Sequence, residues 1–190
     1  ILNEKGKLPT SFYQEMRVWH QEFLSWLLSS EQGIIEGNRK NNQGSLYDLL
    51  ILNISCFIQE EKALVERYYQ RLLRRLHEQI DSKGELPYEL VRTKSKSYTT
   101  MGLKMLLESA CLLMNYGYEF KDNEDLVRAY HNVRPHYVKH TWEHMQIKAF
   151  DPFRGYYILY LFFKTICMRT EFTMENEEMH WGSILLRKLF

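Results

Sequence analysis

The sequence predicts an all-α protein, and three observations carry that expectation. Apolar residues recur at steps of three and four along most of the 190-residue chain, the spacing that lines one face of an α-helix. No stretch alternates convincingly at the period of two that a half-buried strand needs. The segments between periodic runs are short, which favours antiparallel neighbouring helices.

Taken in order, Phe12, Met16, Trp19, Phe23 and Leu27 define an amphipathic helix over residues 10–29, closed by "SSEQG". An amide-rich loop, "RKNNQG" (39–44), follows, with Ser45 as the candidate N-cap of a second helix running to Phe57. Leu64, Tyr68, Leu72, Leu76 and Ile80 repeat every four residues and predict a third helix over 61–80, ended by the turn "DSKGELP". Residues 88–97 show no helical face and are expected to be an extended loop. Helical spacing resumes from Thr99 to Asn115. A more polar helix is expected over 123–144, bent at Pro135, then an apolar one over 155–168 and a last one over 175–189. The run "GYYILYLFF" is apolar nearly all round and requires neighbours on more than one side. Periodicity fits a helical bundle and a layered helical toroid equally.

Composition narrows the function classes. Lys and Arg number 25 against 24 Asp and Glu, a net charge of +1. That balance argues against a protein dominated by nucleic-acid or membrane-surface binding. "GYYILYLFF" is too short to span a bilayer, and no signal peptide is visible, although the chain starts at Ile1 and a leader upstream is compatible with it. Cys56, Cys111 and Cys167 each fall in an apolar, helix-like stretch without a CxxC pattern, so three buried, unpaired thiols are expected. Thirteen Tyr, ten Phe and four Trp supply many flat rings, which serve cores and carbohydrate sites alike.

Two stretches carry candidate chemistry. The first is the amide loop with Asn42 and Gln43; the second is "GELPYELVRTKSKSYTT" (84–100), with Arg92, Lys94, Lys96 and Tyr98. Neutral donors, a fixed cation and a phenol suit one reaction type: removal of the proton α to a carboxylate, then expulsion of the oxygen on the β-carbon. The carbon acid is too weak unless its carboxylate is neutralised, and amides with a guanidinium stabilise the charge that develops. A phenol titrates near ~10 in water. A neighbouring cation favours its phenolate and brings it toward general-base work.

The segments "WLLSSEQGIIEGNRKNNQGSLYDLL", "DSKGELPYELVRTKSKSYTTMGLKMLLESA" and "FDPFRGYY" together resemble the alginate lyase family of polysaccharide lyases, in the same order over roughly residues 12–165. The resemblance implies an (α/α) toroid of antiparallel helix pairs whose cleft binds an acidic polysaccharide and cleaves it by β-elimination. It implies no cofactor and no metal, a uronate-containing polysaccharide or oligosaccharide as partner, and a periplasmic or secreted location. The family motif Asn-Asn-His-Gly falls on Asn41, Asn42, Gln43 and Gly44, and its Arg-Thr…Tyr motif on Arg92, Thr93 and Tyr98, the tyrosine serving as base and acid. Gln43 stands where the family has histidine. It cannot titrate, which leaves proton handling to Tyr98 and also admits a degenerate, non-catalytic carbohydrate-binding toroid. The chain further resembles the C-terminal part of a toroid, incomplete at its N-terminal side, with residues 1–190 as one domain.

Tyr47, Lys94 and Arg154 are candidates to line sugar subsites. Asp48, beside Tyr47 at the start of the same helix, reads first as a helix-dipole partner rather than a subsite residue. His136, His140 and His144, spaced by four, would share one face of a helix. Without an HExxH pattern they read as polar-face residues rather than metal ligands. A paired-carboxylate hydrolase would draw on Asp48, Glu85 and Glu89.

Overall fold

The computed structural model describes residues 9–58 and 62–167, except for the side chain of Cys167. All the regular structure among them is helical: α1 (Thr10–Ser29), α2 (Glu31–Gly37), α3 (Asn42–Ile58), α4 (Lys62–Gln79), α5 (Pro87–Leu90), α6 (Ser95–Met114), α7 (Glu124–Val138) and α8 (Pro152–Phe162), which runs into a π-helical turn, Phe163–Cys167. Lys94 and Gln146 form an isolated antiparallel bridge. None of these helices is long and apolar enough to cross a membrane.

The centre of the fold is the contact between α3 and α6, to which α1, α4, α5 and α8 add their inner faces. Ile51 and Leu52 of α3, Leu103, Leu106 and Leu107 of α6, Leu76 of α4 and Phe162 of α8 are all at most 1% exposed. Burying a Leu or Phe side chain contributes about 1.5–3 kcal/mol, so this seam holds both helices in register. Tyr137 of α7 lies in the same core, its hydroxyl 2.8 Å from Thr100 Oγ1. A Cβ at Gly155 would sit 2.8 Å from the Tyr137 ring, so the glycine of "FRGYY" permits α8 to close on α7.

Several boundaries differ from expectation for identifiable reasons. "SSEQG" does not open a loop: Ser30 Oγ accepts from Gly33 N at 3.1 Å and starts α2. Ser45 is not an N-cap. α3 begins three residues earlier, where Asn41 Oδ1 accepts from Gln43 N (3.1 Å) and Asn41 O from Ser45 N (3.2 Å), while Ser45 Oγ donates to Gln79 Oε1 at 3.0 Å. The stretch expected to be extended is largely helical: Pro87 starts a single turn, α5, and α6 begins at Ser95. Only residues 91–94 join them.

Helix α7 ends at Val138 even though Pro135 sits within it, and residues 139–151 are irregular, with His140 at a φ of 55°. His140 and His144 therefore leave the helix, and the three histidines share no face. Among the described residues no group of three His, Cys, Asp or Glu side chains is arranged to hold a metal. Cys56 and Cys111 are free thiols; Cys111 is buried, but Cys56 is only half-buried. The thiol of Cys167 and the helix expected over 175–189 lie outside the described residues.

The first helix spans the predicted range, yet its apolar stripe is covered unevenly. Leu24 and Leu27 are 5% exposed, whereas Phe12, Trp19 and Trp26 remain about half exposed.

Candidate active site

Asn42, Arg92 and Tyr98, 56 positions apart at the extremes, meet where the N-termini of α3 and α6 approach the end of α5. Arg92 lies just past α5, and Tyr98 is in the first turn of α6. The guanidinium carbon of Arg92 stands over the Tyr98 ring, 3.3 Å from its centroid, close enough to be a cation–π contact. Arg92 Nη1 donates to Asn42 Oδ1 at 3.1 Å and to Glu89 Oε2 at 2.9 Å. The second Glu89 oxygen, Oε1, accepts from the backbone N–H of Asn42. Glu89 is 1% exposed, and burial pushes its carboxyl above the usual range, against the opposing pull of the Asn42 N–H and the Arg92 cation.

The amides of the "NNQG" loop divide their work. Asn41 caps α3 through Gln43 N. Asn42 is 5% exposed, and because its oxygen faces Arg92, its Nδ2 points elsewhere, with Met101 Sδ as nearest partner at 4.0 Å. Gln43 carries an exposed side chain beside them. Gly44 makes the turn possible: a Cβ there would lie 2.0 Å from Arg39 O and 2.9 Å from Arg75 Nη1.

Behind the loop stands a buried ion cluster. Asp48 accepts from Arg71 Nε at 2.7 and 2.8 Å and from Arg75 Nε. Both arginines also donate to Gly37 O, and Arg75 Nη1 donates to Arg39 O at 2.8 Å. The α2–α3 connection that presents Asn42 is thus tied by its carbonyls to α4. Asp48 is a strut of the fold and not a helix-dipole ornament.

A second support crosses the start of α6. Ser95 N donates to Met145 O and Ile147 N to Thr93 O, each at 3.0 Å, so residues 141–148 run as a strap beside 93–97. Gln146 Oε1 accepts from Ser97 N at 3.3 Å, and Trp142 Nε1 donates to Ser95 Oγ at 2.8 Å. Lys96, expected among basic loop residues, is 5% exposed; its Nζ donates to His136 O and Thr141 O, both at 3.1 Å, and sits 5.0 Å from the Phe150 ring. Burial holds its pKa below the usual lysine value. Lys96 secures the strap; it does not face solvent.

The remaining candidates separate from this cluster. Tyr47 points into the core, 9% exposed, its hydroxyl donating to Leu27 O at 2.7 Å. Its ring lies against Gly37, leaving no open face for a sugar. Lys94 occupies the N-cap position of α6, adjacent in sequence to the strap contacts. Arg154 is largely exposed in the first turn of α8, 3.8 Å from Asp151, and no described contact joins it to Arg92 or Tyr98. The carboxylates of a hydrolase pair are dispersed: Glu89 on Arg92, Asp48 on Arg71 and Arg75, and Glu85 3.8 Å from His144. Sequence reading missed the contacts of Glu89 with Arg92 and Asn42 N, although its i, i+3 spacing to Arg92 was visible, and missed the strap, whose contacts join residues about fifty positions apart.

The architecture is that of an α/α toroid, with a stacked arginine–tyrosine pair at the meeting point of its helix ends. The chain belongs to the alginate lyase family, whose model matches residues 1–142. Its structure is similar to that of an alginate lyase from Bacteroides ovatus, with a TM-score of 0.71 and 19% sequence identity. The match covers 91% of this chain and 50% of that one, so the chain spans about half the length of the solved structure. No curated protein sequence matches it.

Proposed function

We propose that this protein cleaves a uronate-containing, alginate-like polysaccharide by β-elimination. The observation that carries the reading is the Arg92–Tyr98 stack, with Arg92 held at one end by Glu89 and Asn42. Arg92 and the amides at the start of α3 neutralise the uronate carboxylate, so that negative charge spreading into it as the α-proton leaves is stabilised. Exposed Gln43 adds a neutral donor. Tyr98 removes the proton from the carbon bearing the carboxylate, and the electron pair expels the glycosidic oxygen from the β-carbon as the double bond forms. The same phenol then returns its proton to the departing oxygen. No second base is required, which accords with a glutamine at position 43. Lys94 and Arg154, which stand apart from the Arg92–Tyr98 pair, would meet uronates further along the polymer, and a periplasmic or secreted location suits such a substrate.

A non-catalytic, carbohydrate-binding toroid is the alternative, favoured by the replacement of histidine at Gln43. The ultraviolet absorbance of the unsaturated sugar product, followed on a panel of uronate polymers, separates the two. Growing absorbance supports the lyase; binding without it supports the alternative.

A further inference from the structure

Glu89 matches none of the motif positions that point to the chemistry, yet it is the most buried charged group in the cluster. Its two oxygens have different partners. Oε1 takes the backbone N–H of Asn42, and Oε2 takes Arg92 Nη1. Nη1 carries two hydrogens, and the other goes to Asn42 Oδ1. That end of the guanidinium is therefore saturated. The Nη2 and Nε hydrogens have no hydrogen-bond partner among the described residues, and they form the edge that grips a carboxylate with two parallel bonds. One face of the same plane is covered by Tyr98.

We propose that Glu89 is a positioning residue: it clamps Nη1 of Arg92 so that the guanidinium lies flat on Tyr98 and turns its Nη2–Nε edge toward the substrate carboxylate. The proposal rests on the lyase reading for the identity of that carboxylate. The clamp itself is a property of the free protein. A planar guanidinium pinned at one end and stacked on a ring has lost the rotations that would let it point elsewhere, so the cost of ordering it is met before substrate arrives. Through Asn42 N, the same carboxylate sets the spacing between the amide loop and the arginine.

The test uses Glu89→Gln, which preserves shape and can still accept from Asn42 N–H but turns an amide N–H₂ toward Arg92. Two readouts separate the clamp from the chemistry. The first is the NMR signal of Arg92 Nε–H in the absence of substrate, identified by its loss in Arg92→Lys. In the wild type it is displaced by the Tyr98 ring and exchanges slowly; in Glu89→Gln it moves to the position of a freely rotating arginine. The second is steady-state turnover on the uronate polymer that the wild type cleaves best. There Glu89→Gln lowers kcat/KM on the order of 10²-fold, as expected for a misplaced binding group, with KM raised as well as kcat lowered. In an Arg92→Ala background the same substitution produces no further loss. An Arg92 signal that is undisplaced in the wild type, or unmoved by Glu89→Gln, overturns the proposal without reference to activity. So does an additive loss in the Arg92→Ala background. Wild-type protein that cleaves no uronate polymer, but whose Arg92 signal responds to Glu89→Gln, refutes the lyase reading and upholds the clamp.

Discussion

Asp48→Ala is the sharpest test of how the amide loop is held. The carboxylate accepts two bonds from Arg71 and one from Arg75, and its removal leaves both cations without their counter-charge. The side chains of Asp48 and Arg75 are 7% and 8% exposed, and that of Arg71 is 22% exposed. Water therefore reaches Arg71 in part and Arg75 hardly at all. Removing one partner of a buried pair destabilises by about 3–5 kcal/mol, and the partial exposure of Arg71 puts this case at the lower end. For a chain of this size 3 kcal/mol lowers Tm by roughly 6–12 °C. The assay is thermal and urea unfolding followed by far-ultraviolet circular dichroism. Adding Arg71→Met and Arg75→Met to Asp48→Ala removes the stranded charges and should recover part of the loss. Recovery stays incomplete because those arginines also cap Gly37 O and Arg39 O. A loss below about 1 kcal/mol, the range of an exposed pair, would refute the claim that this cluster is a buried strut.

Tyr98→Phe keeps the ring under Arg92 but deletes the hydroxyl, so lyase turnover should fall to background with little change in Tm; wild-type turnover in this variant would refute the mechanism. Gln43→His, at an exposed position, should retain or raise activity and broaden the uronates accepted, as product spectra on different polymers would reveal. Gly44→Ala forces a methyl against Arg39 O and should destabilise by about 1–3 kcal/mol, read in the same unfolding assay, while weakening substrate binding by shifting Asn42. The acid limb of kcat/KM should lie above the ordinary carboxylate range of about 4.3. Glu89 must be ionised to hold Arg92, and its raised pKa makes it take up a proton earlier as pH falls. Stability carries the opposite sign: a raised carboxyl favours the fold below its unfolded pKa, and that contribution is lost as pH rises through the folded value. Glu89→Gln should abolish both dependences.

Hydrophobic period alone was enough to specify an all-helical chain, and the first helix is found over the predicted residues 10–29. Local spacing encodes this because the 3.6-residue repeat is a property of neighbouring side chains. The motif residues were likewise legible: Asn42, Arg92 and Tyr98 do converge. What the sequence could not determine is which groups a side chain meets across the fold. Tyr47 and Asp48 sit about a turn and a half beyond Asn42 on the same helix, but α1, α2 and α4 enclose them, so a candidate sugar ring becomes core and a candidate first-turn acid becomes a strut. Lys96, placed by the sequence in an extended loop, is enclosed by the strap from residues 136–150. Glu89 shows the same limit from the other side. Its pairing with Arg92 is local, but its hold on Asn42 spans 47 residues, and only the packing of α5 and α3 against α6 brings that oxygen to that N–H. Burial and long-range hydrogen bonding depend on every helix that closes over a position, and no window of sequence contains that information.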